Sequence, residues 1–281
     1  MAGEFVALSE RGVSTYFARK KLKMGRLKVG DFVEVDDSLG VVEKVLPRKN
    51  ELVRPPVANV DVAFIVVAVV PAPDFLLIDK LLLKFFRSGI EPVILCNKMD
   101  LSASEEFLAT LHSQYDAVCP VFGVCAKRGE DGVLPILQRT DGKFAIFAGQ
   151  SAVGKTSLLR VLLPNSTMAV GELSARTARG KNTTRHSEIF VLDSRGMIAD
   201  TPGFSAFELD DFLPEDVIDY TVELGKYSSA CKYRDCNHLG ESVDICAVKR
   251  AVASGAMNSQ RYERYCELYR CAKEKEDNKY E

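Results

Sequence analysis

The chain has 281 residues, 47% of them hydrophobic and 27% charged, the composition of a folded protein with room for about two domains at the ~150 residues of an average one. Its 37 Lys and Arg against 39 Asp and Glu give a formal net charge of −2, which argues against a surface built throughout for nucleic acid. The longest apolar run, Val62 to Val70, is nine residues, short of the ~20 that cross a bilayer; with Glu4, Glu10 and Arg11 near the start and no apolar stretch of secretory length, the expected location is the cytoplasm, with no membrane partner.

Residues 1–58 read as a small β barrel, with short strands over 4–8, 32–36, 40–46 and 51–53 separated by Gly, Pro and charged turns. Between the first two lies 11–28, with seven basic side chains and no acidic one. The −2 is therefore a sum: residues 1–55 hold 11 basic and 8 acidic groups, a net +3, which leaves −5 for the rest. Tyr16 and Phe17 inside the basic stretch suit phosphate neutralisation with base stacking on RNA. A solvated loop accounts for the same residues equally well.

Residues 59–208 alternate strands and helices. The β-branched run 60–70 predicts a buried strand, 75–87 has helical periodicity, and the pattern repeats as strand 92–96, helix 103–112, strand 117–121, a short helix at 133–138, strand 144–148 and helix 155–163. Repeated strand and helix units predict a doubly wound α/β sheet. Segments 187–193 and 197–199 predict a hairpin. Residues 209–281 turn acidic and helical, then cysteine-rich, then helical again to a charged tail.

Four strand ends carry nucleotide chemistry. Gly149, Gln150, Ser151, Ala152, Val153, Gly154, Lys155 and Thr156 match GxxxxGK[ST], with Ser157 next. The glycines let backbone N–H groups wrap phosphates, Lys155 neutralises the β and γ oxygens, and Thr156 offers a hydroxyl to Mg²⁺. Asn97, Lys98, Met99 and Asp100 form NKxD, whose carboxylate accepts from the N1 and N2 donors of guanine; adenine lacks that pair, so Asp100 selects GTP over ATP. Cys125, Ala126 and Lys127 match an SAK element whose backbone reads the guanine O6. Asp200, Thr201, Pro202 and Gly203 form DxxG, where the carboxylate reaches Mg²⁺ through water and the glycine N–H senses the γ-phosphate.

The order is NKxD, SAK, phosphate loop, switch, DxxG, whereas Ras-like enzymes begin with the phosphate loop. This is a circularly permuted GTPase, whose chain leaves the DxxG switch directly into the C-terminal domain. The polar segment 171–187 is the expected switch loop, with Thr184 or Thr183 as the second Mg²⁺ ligand. Phe204 stands where Ras-like enzymes orient water with glutamine. A phenyl ring cannot do so, and intrinsic hydrolysis should be slow and partner-stimulated.

Of eight cysteines, Cys96, Cys119 and Cys125 lie in strand-like surroundings as core residues. Cys231, Cys236, His238 and Cys246 supply three thiolates and an imidazole within 16 residues, a donor set for one tetrahedral structural Zn²⁺. Cys266 and Cys271 are expected to pack in a helix. A last domain this small should depend on its zinc.

Together, NKMD, CAK, GQSAVGKTS, GKNTT, ADTPGF and CxxxxCxHxxxxxxxC resemble the small-ribosomal-subunit-dependent GTPase family, RsgA or YjeQ, across essentially the whole chain. The resemblance implies an N-terminal OB-fold over 1–58, a permuted GTPase domain over 59–208 and a helical zinc domain over 209–281. It further implies a monomer that acts late in maturation of the 30S subunit, binds the decoding region of 16S rRNA, hydrolyses GTP there and releases assembly factors. The family reads G[RK]HTT where this chain has Asn182, and Asn182 cannot act as a general base. Either Asn182 orients water beside Lys155 and Thr184, or rRNA supplies the missing group. A permuted GTPase of the large subunit shares the nucleotide elements but not the barrel and zinc arrangement; a small-molecule P-loop kinase has no reason to carry NKxD.

Overall fold

The computed structural model describes residues 4–9, 12–18, 27–53, 55–163, 188–192, 196–200, 209 and 211–278. The chain forms two compact units, one of Met1–Phe64, Cys125–Ala148 and Gly154–Phe204, the other of Ile65–Val124, Gly149–Val153 and Ser205–Glu281.

The first unit opens with β1 (Glu4–Ser9), β2 (Gly12–Ala18), β3 (Val33–Asp36) and β4 (Val41–Val45), a sheet of order β1-β2-β4-β3. β1 and β2 are an antiparallel hairpin, and β2 runs parallel to β4. The basic stretch therefore begins as a strand rather than a loop. Its two aromatics part company: Phe17 is 47% exposed, whereas Tyr16 is buried and its hydroxyl donates to Asp37 Oδ1 at 2.7 Å, out of reach of a stacked base. Segment 51–53 contributes only an isolated bridge, Glu51 to Ala58. Arg48 ties this region together by donating to Asp31 Oδ2 at 2.8 Å and to Glu51.

The chain continues through β5 (Val62–Ala68), α1 (Phe75–Arg87), β6 (Glu91–Asn97), α2 (Ser104–Tyr115), β7 (Val121–Gly123), a 3₁₀ segment (Ala126–Val133), α3 (Leu134–Thr140), β8 (Phe144–Ala148), α4 (Lys155–Leu162), β9 (Glu188–Val191) and β10 (Met197–Asp200). The second sheet has the order β7-β6-β5-β8-β10-β9, with β6 parallel to β7, β8 parallel to β10, and β9 and β10 the expected antiparallel hairpin. All seven residues of β5 are buried, which is why its sequence shows no alternation. The expected strand 117–121 is displaced to β7, which shares only Val121 with it, because the Val118 and Cys119 amides are spent on Tyr115 O, closing α2.

The second unit adds α5 (Pro214–Tyr220), α6 (Gly225–Ser228), α7 (Ala247–Ala253) and α8 (Ser259–Asp277). These helices share a core with α1, in which Leu83 packs with Phe212, Val217, Val248, Tyr265 and Leu268. Cys266 belongs to that core, but Cys271 is exposed; five residues along a helix place the two on different faces.

One charge interrupts the apolar stripe of α1. Asp79 is 3% exposed on its side chain and pairs with both Arg261 and Arg264 of α8, while the Tyr115 hydroxyl donates to its Oδ1 at 2.8 Å. Arg261 also grips Glu223, with Nε donating to Oε1 at 2.9 Å. Burial opposes the Arg261 charge, but Asp79 and Glu223 outweigh it and raise its pKa above the usual guanidinium value. Burial, followed by the Asp79 charge, likewise raises that of Tyr115. Removing one member strands the others without water. Arg261→Met should therefore cost about 3–5 kcal/mol in urea unfolding, and a loss below about 1 kcal/mol would contradict this account.

Candidate functional site

The phosphate loop begins where β8 ends. Gly149 has φ of 120°, and a Cβ there would sit 2.2 Å from Val66 O, so only glycine lets the loop pass the end of β5. Ala152 is left-handed at φ 62°, as is Gly154 at φ 100°. Gly154 is the N-cap of α4, and no side chain caps that helix. Lys155 and Thr156 are its first residues, and Ser151, Thr156 and Ser157 are exposed. Open amides, a helix N-terminus and a lysine form an anion-binding arrangement.

The NKxD turn follows β6. Asn97 is 2% exposed, and its Nδ2 donates to Val153 O at 2.9 Å, tying the NKxD turn to the phosphate loop. Its buried Oδ1 has no partner among the described residues, the kind of orphaned acceptor that a ligand site presents. Lys98 is left-handed at φ 64° and donates to Val70 O at 2.7 Å and Ala152 O at 2.8 Å. The Leu101 amide and the Ser104 hydroxyl both donate to Lys98 O, at 3.0 and 2.8 Å. That turn leaves Asp100 exposed.

In the first unit, the buried Cys125 donates its N–H to Gly132 O at 2.8 Å. A Cβ on Gly132 would lie 2.0 Å from Cys125 O, so the 3₁₀ segment that Ala126 and Lys127 begin closes only over glycine. α4 packs on this segment. Asp200 ends β10. Thr201, Pro202, Gly203, Phe204, Asn182, Thr183 and Thr184 lie outside the described residues.

The four expected metal ligands converge. Sulfur atoms of Cys231, Cys236 and Cys246 and a ring nitrogen of His238 all lie within 4.8 Å of one another. His238 Nδ1 is 3.7, 3.3 and 3.4 Å from the three sulfurs in that order. A tetrahedral Zn²⁺ with ordinary Zn–S and Zn–N bonds places sulfur and nitrogen about 3.6 Å apart, so these residues fit it. Amides support the sulfurs: Ala247 N–H donates to Cys231 Sγ at 3.3 Å and Lys249 N–H to Cys246 Sγ at 3.4 Å, where Cys246 is the N-cap of α7. Two tyrosines of α8 hold the loop backbone, Tyr262 donating to His238 O at 2.6 Å and Tyr265 to Asn237 O at 2.7 Å.

A model of the RsgA GTPase family matches residues 45–210. The chain belongs to the RsgA GTPase family. It is thus a circularly permuted GTP hydrolase. The small ribosomal subunit biogenesis GTPase RsgA of Caldanaerobacter subterraneus is 38% identical over 100% of this chain and 96% of its own. Two solved RsgA-like structures are similar over nearly the whole chain. YjeQ from Thermotoga maritima has a TM-score of 0.78 at 32% identity, covering 96% of this chain and 94% of its own. YloQ, a circularly permuted GTPase, has a TM-score of 0.77 at 32% identity, covering 98% and 92%.

Sequence patterns missed the supports of this RsgA-family site. Asp79 is a charge inside an apolar helical stripe, the one local signal that a partner must meet it, whereas nothing in the sequence around Tyr262 and Tyr265 points to the loop they hold. Burial, assisted by neighbouring thiols, pushes the Cys236 thiol up to about 12 without metal, and burial lowers the His238 pKa. At neutral pH the thiol therefore keeps its proton until metal displaces it, so affinity must fall as pH falls. Zinc titrations of the metal-free protein at pH 8, 7 and 6 should show Kd rising at least about tenfold per unit; a pH-independent Kd would contradict this ligand set.

Proposed function

We propose that this GTPase acts late in assembly of the small ribosomal subunit, binding 16S rRNA and hydrolysing GTP on the 30S particle. The observation that carries the reading is the extent of the likeness to a protein named for small-subunit biogenesis, which covers 100% of this chain and 96% of that one. A GTPase domain alone would match only in the middle. Here the likeness also spans the strand-rich front and the region of the three-cysteine, one-histidine cluster.

In this reading 1–58 is an OB-fold that lays its basic stretch along the rRNA backbone, 59–208 is the permuted GTPase domain and 209–281 is the zinc domain. Asn97, Lys98 and Asp100 select guanine, with the backbone of Cys125, Ala126 and Lys127 at its O6. Residues 149–157 hold the phosphates, Asp200 would help to hold Mg²⁺, the Gly203 N–H senses the γ-phosphate, and either Asn182 or the rRNA orients the attacking water. Thr156 and Thr184 are the side chains that would hold Mg²⁺, which neutralises charge between the β- and γ-phosphates when bound. Cys231, Cys236, His238 and Cys246 would hold a structural Zn²⁺. The protein works as a cytoplasmic monomer; no helix among the described residues is long and apolar enough to cross a membrane.

Phe204 cannot position water, so the subunit completes the catalytic arrangement. GTP turnover measured with purified 30S and 50S subunits in parallel should rise at least about tenfold with 30S alone. Stimulation by 50S only would replace this assignment with the large-subunit reading.

A further inference from the structure

The phosphate loop and the C-terminal helix grip the same few residues from two sides. Residues 72–75 lead into α1. Gln150, the second residue of the phosphate loop, accepts from the Asp74 N–H through Oε1 at 3.1 Å and donates to Ala72 O through Nε2 at 3.2 Å. Asp74 in turn caps α1, its carboxylate accepting from the Leu77 N–H at 2.9 Å. Next along the chain, the Phe75 ring lies under the Arg264 guanidinium of α8, 5.2 Å from the ring centre. Arg264 is itself fixed, pairing with Asp79 and donating to Gln114 Oε1 at 2.7 Å. The first turn of α1 cannot shift without disturbing both the phosphate loop and α8.

We propose that Gln150 is a positioning residue and that residues 72–75 couple nucleotide binding at the phosphate loop to docking of α8. This rests on the reading that residues 149–157 bind GTP. The side chain suits the task, since a carboxamide can accept from one backbone group and donate to another at once. Coupling of this kind is reciprocal: nucleotide steadies α8, and a load on the C-terminal module changes nucleotide affinity. The small subunit would then have a way to influence the phosphate loop besides the covalent link from the DxxG switch.

A double-mutant cycle on the full-length, zinc-loaded protein tests this. Affinity for a fluorescent GDP is measured for wild type, Gln150→Met, Arg264→Ala and the double variant, methionine keeping the length of glutamine without its hydrogen bonds. Each single change should weaken GDP about fivefold, and the double change about fivefold again rather than 25-fold. Multiplying effects, or an Arg264→Ala affinity equal to wild type, would overturn the proposal. If Arg264→Ala does not fold, Arg264→Lys takes its place with the same expectation, because an ammonium keeps a charge beside Asp79 but cannot lie flat on Phe75. Hydrogen exchange supplies a readout that simple loss of affinity would not move. At saturating GDP the Leu77 and Ile78 amides should exchange faster in Gln150→Met than in wild type, and unchanged exchange would also overturn the proposal. Failure of the wild-type protein to bind GDP at all would instead sink the nucleotide reading on which it rests.

Discussion

A single buried carboxylate organises the second unit. Asp79 sits in the apolar stripe of α1, where an unpaired charge would be intolerable, and Arg261, Arg264 and the Tyr115 hydroxyl make it tolerable. Such a network adds little net stability over a well-packed apolar cluster, but it penalises every arrangement that leaves the charges apart. Its consequence is specificity of docking, since α8 can lie on α1 only where two arginines three residues apart meet the same carboxylate.

Other features hang from that docking. The tyrosines that hold the metal loop by its carbonyls at Asn237 and His238 are on α8, on the same turns as Arg261 and Arg264. α1 also anchors the chain that follows the DxxG segment. Lys84 and Arg87 pair with Asp211, and the Arg87 guanidinium lies 4.5 Å from the centre of the Phe212 ring. Partial burial works against the Asp211 charge, but these two cations hold its carboxyl below the usual carboxylate range. Circular permutation makes this anchoring meaningful: with the phosphate loop late in the chain, the switch is followed at once by the C-terminal module. α1 therefore carries contacts to the phosphate loop, to the chain beyond the switch and to α8.

Much of this could be read directly from the residues. α1 and β8 run over the ranges that periodicity and a continuous apolar run predict, and the NKxD and GxxxxGK[ST] motifs follow β6 and β8 as their spacing after apolar runs predicts. Cys231, Cys236, His238 and Cys246 converge into a cluster that could hold a metal, as their donor types and spacing predict. Long-range pairing was less legible. Residues 12–18 form a strand because β1 and β4 flank it, information that its own basic surroundings do not carry, and only that sheet shows Tyr16 turning inward to Asp37 while Phe17 faces out. Asp79 and its arginines are some 180 residues apart in the chain, and no local pattern announces their meeting. Cys271, spaced like a packing partner of Cys266, faces solvent.

Asp79 joins α8 to α1 in one cooperative body, and α8 is not a separately tethered module. Site-resolved hydrogen exchange of the intact protein tests this most directly, because residues of one cooperative unit open together. The slowest amides of α1 and α8 should exchange through a single shared opening and lose protection in parallel as urea is added. Exchange of α8 through its own lower-energy opening, with α1 still protected, would contradict the account.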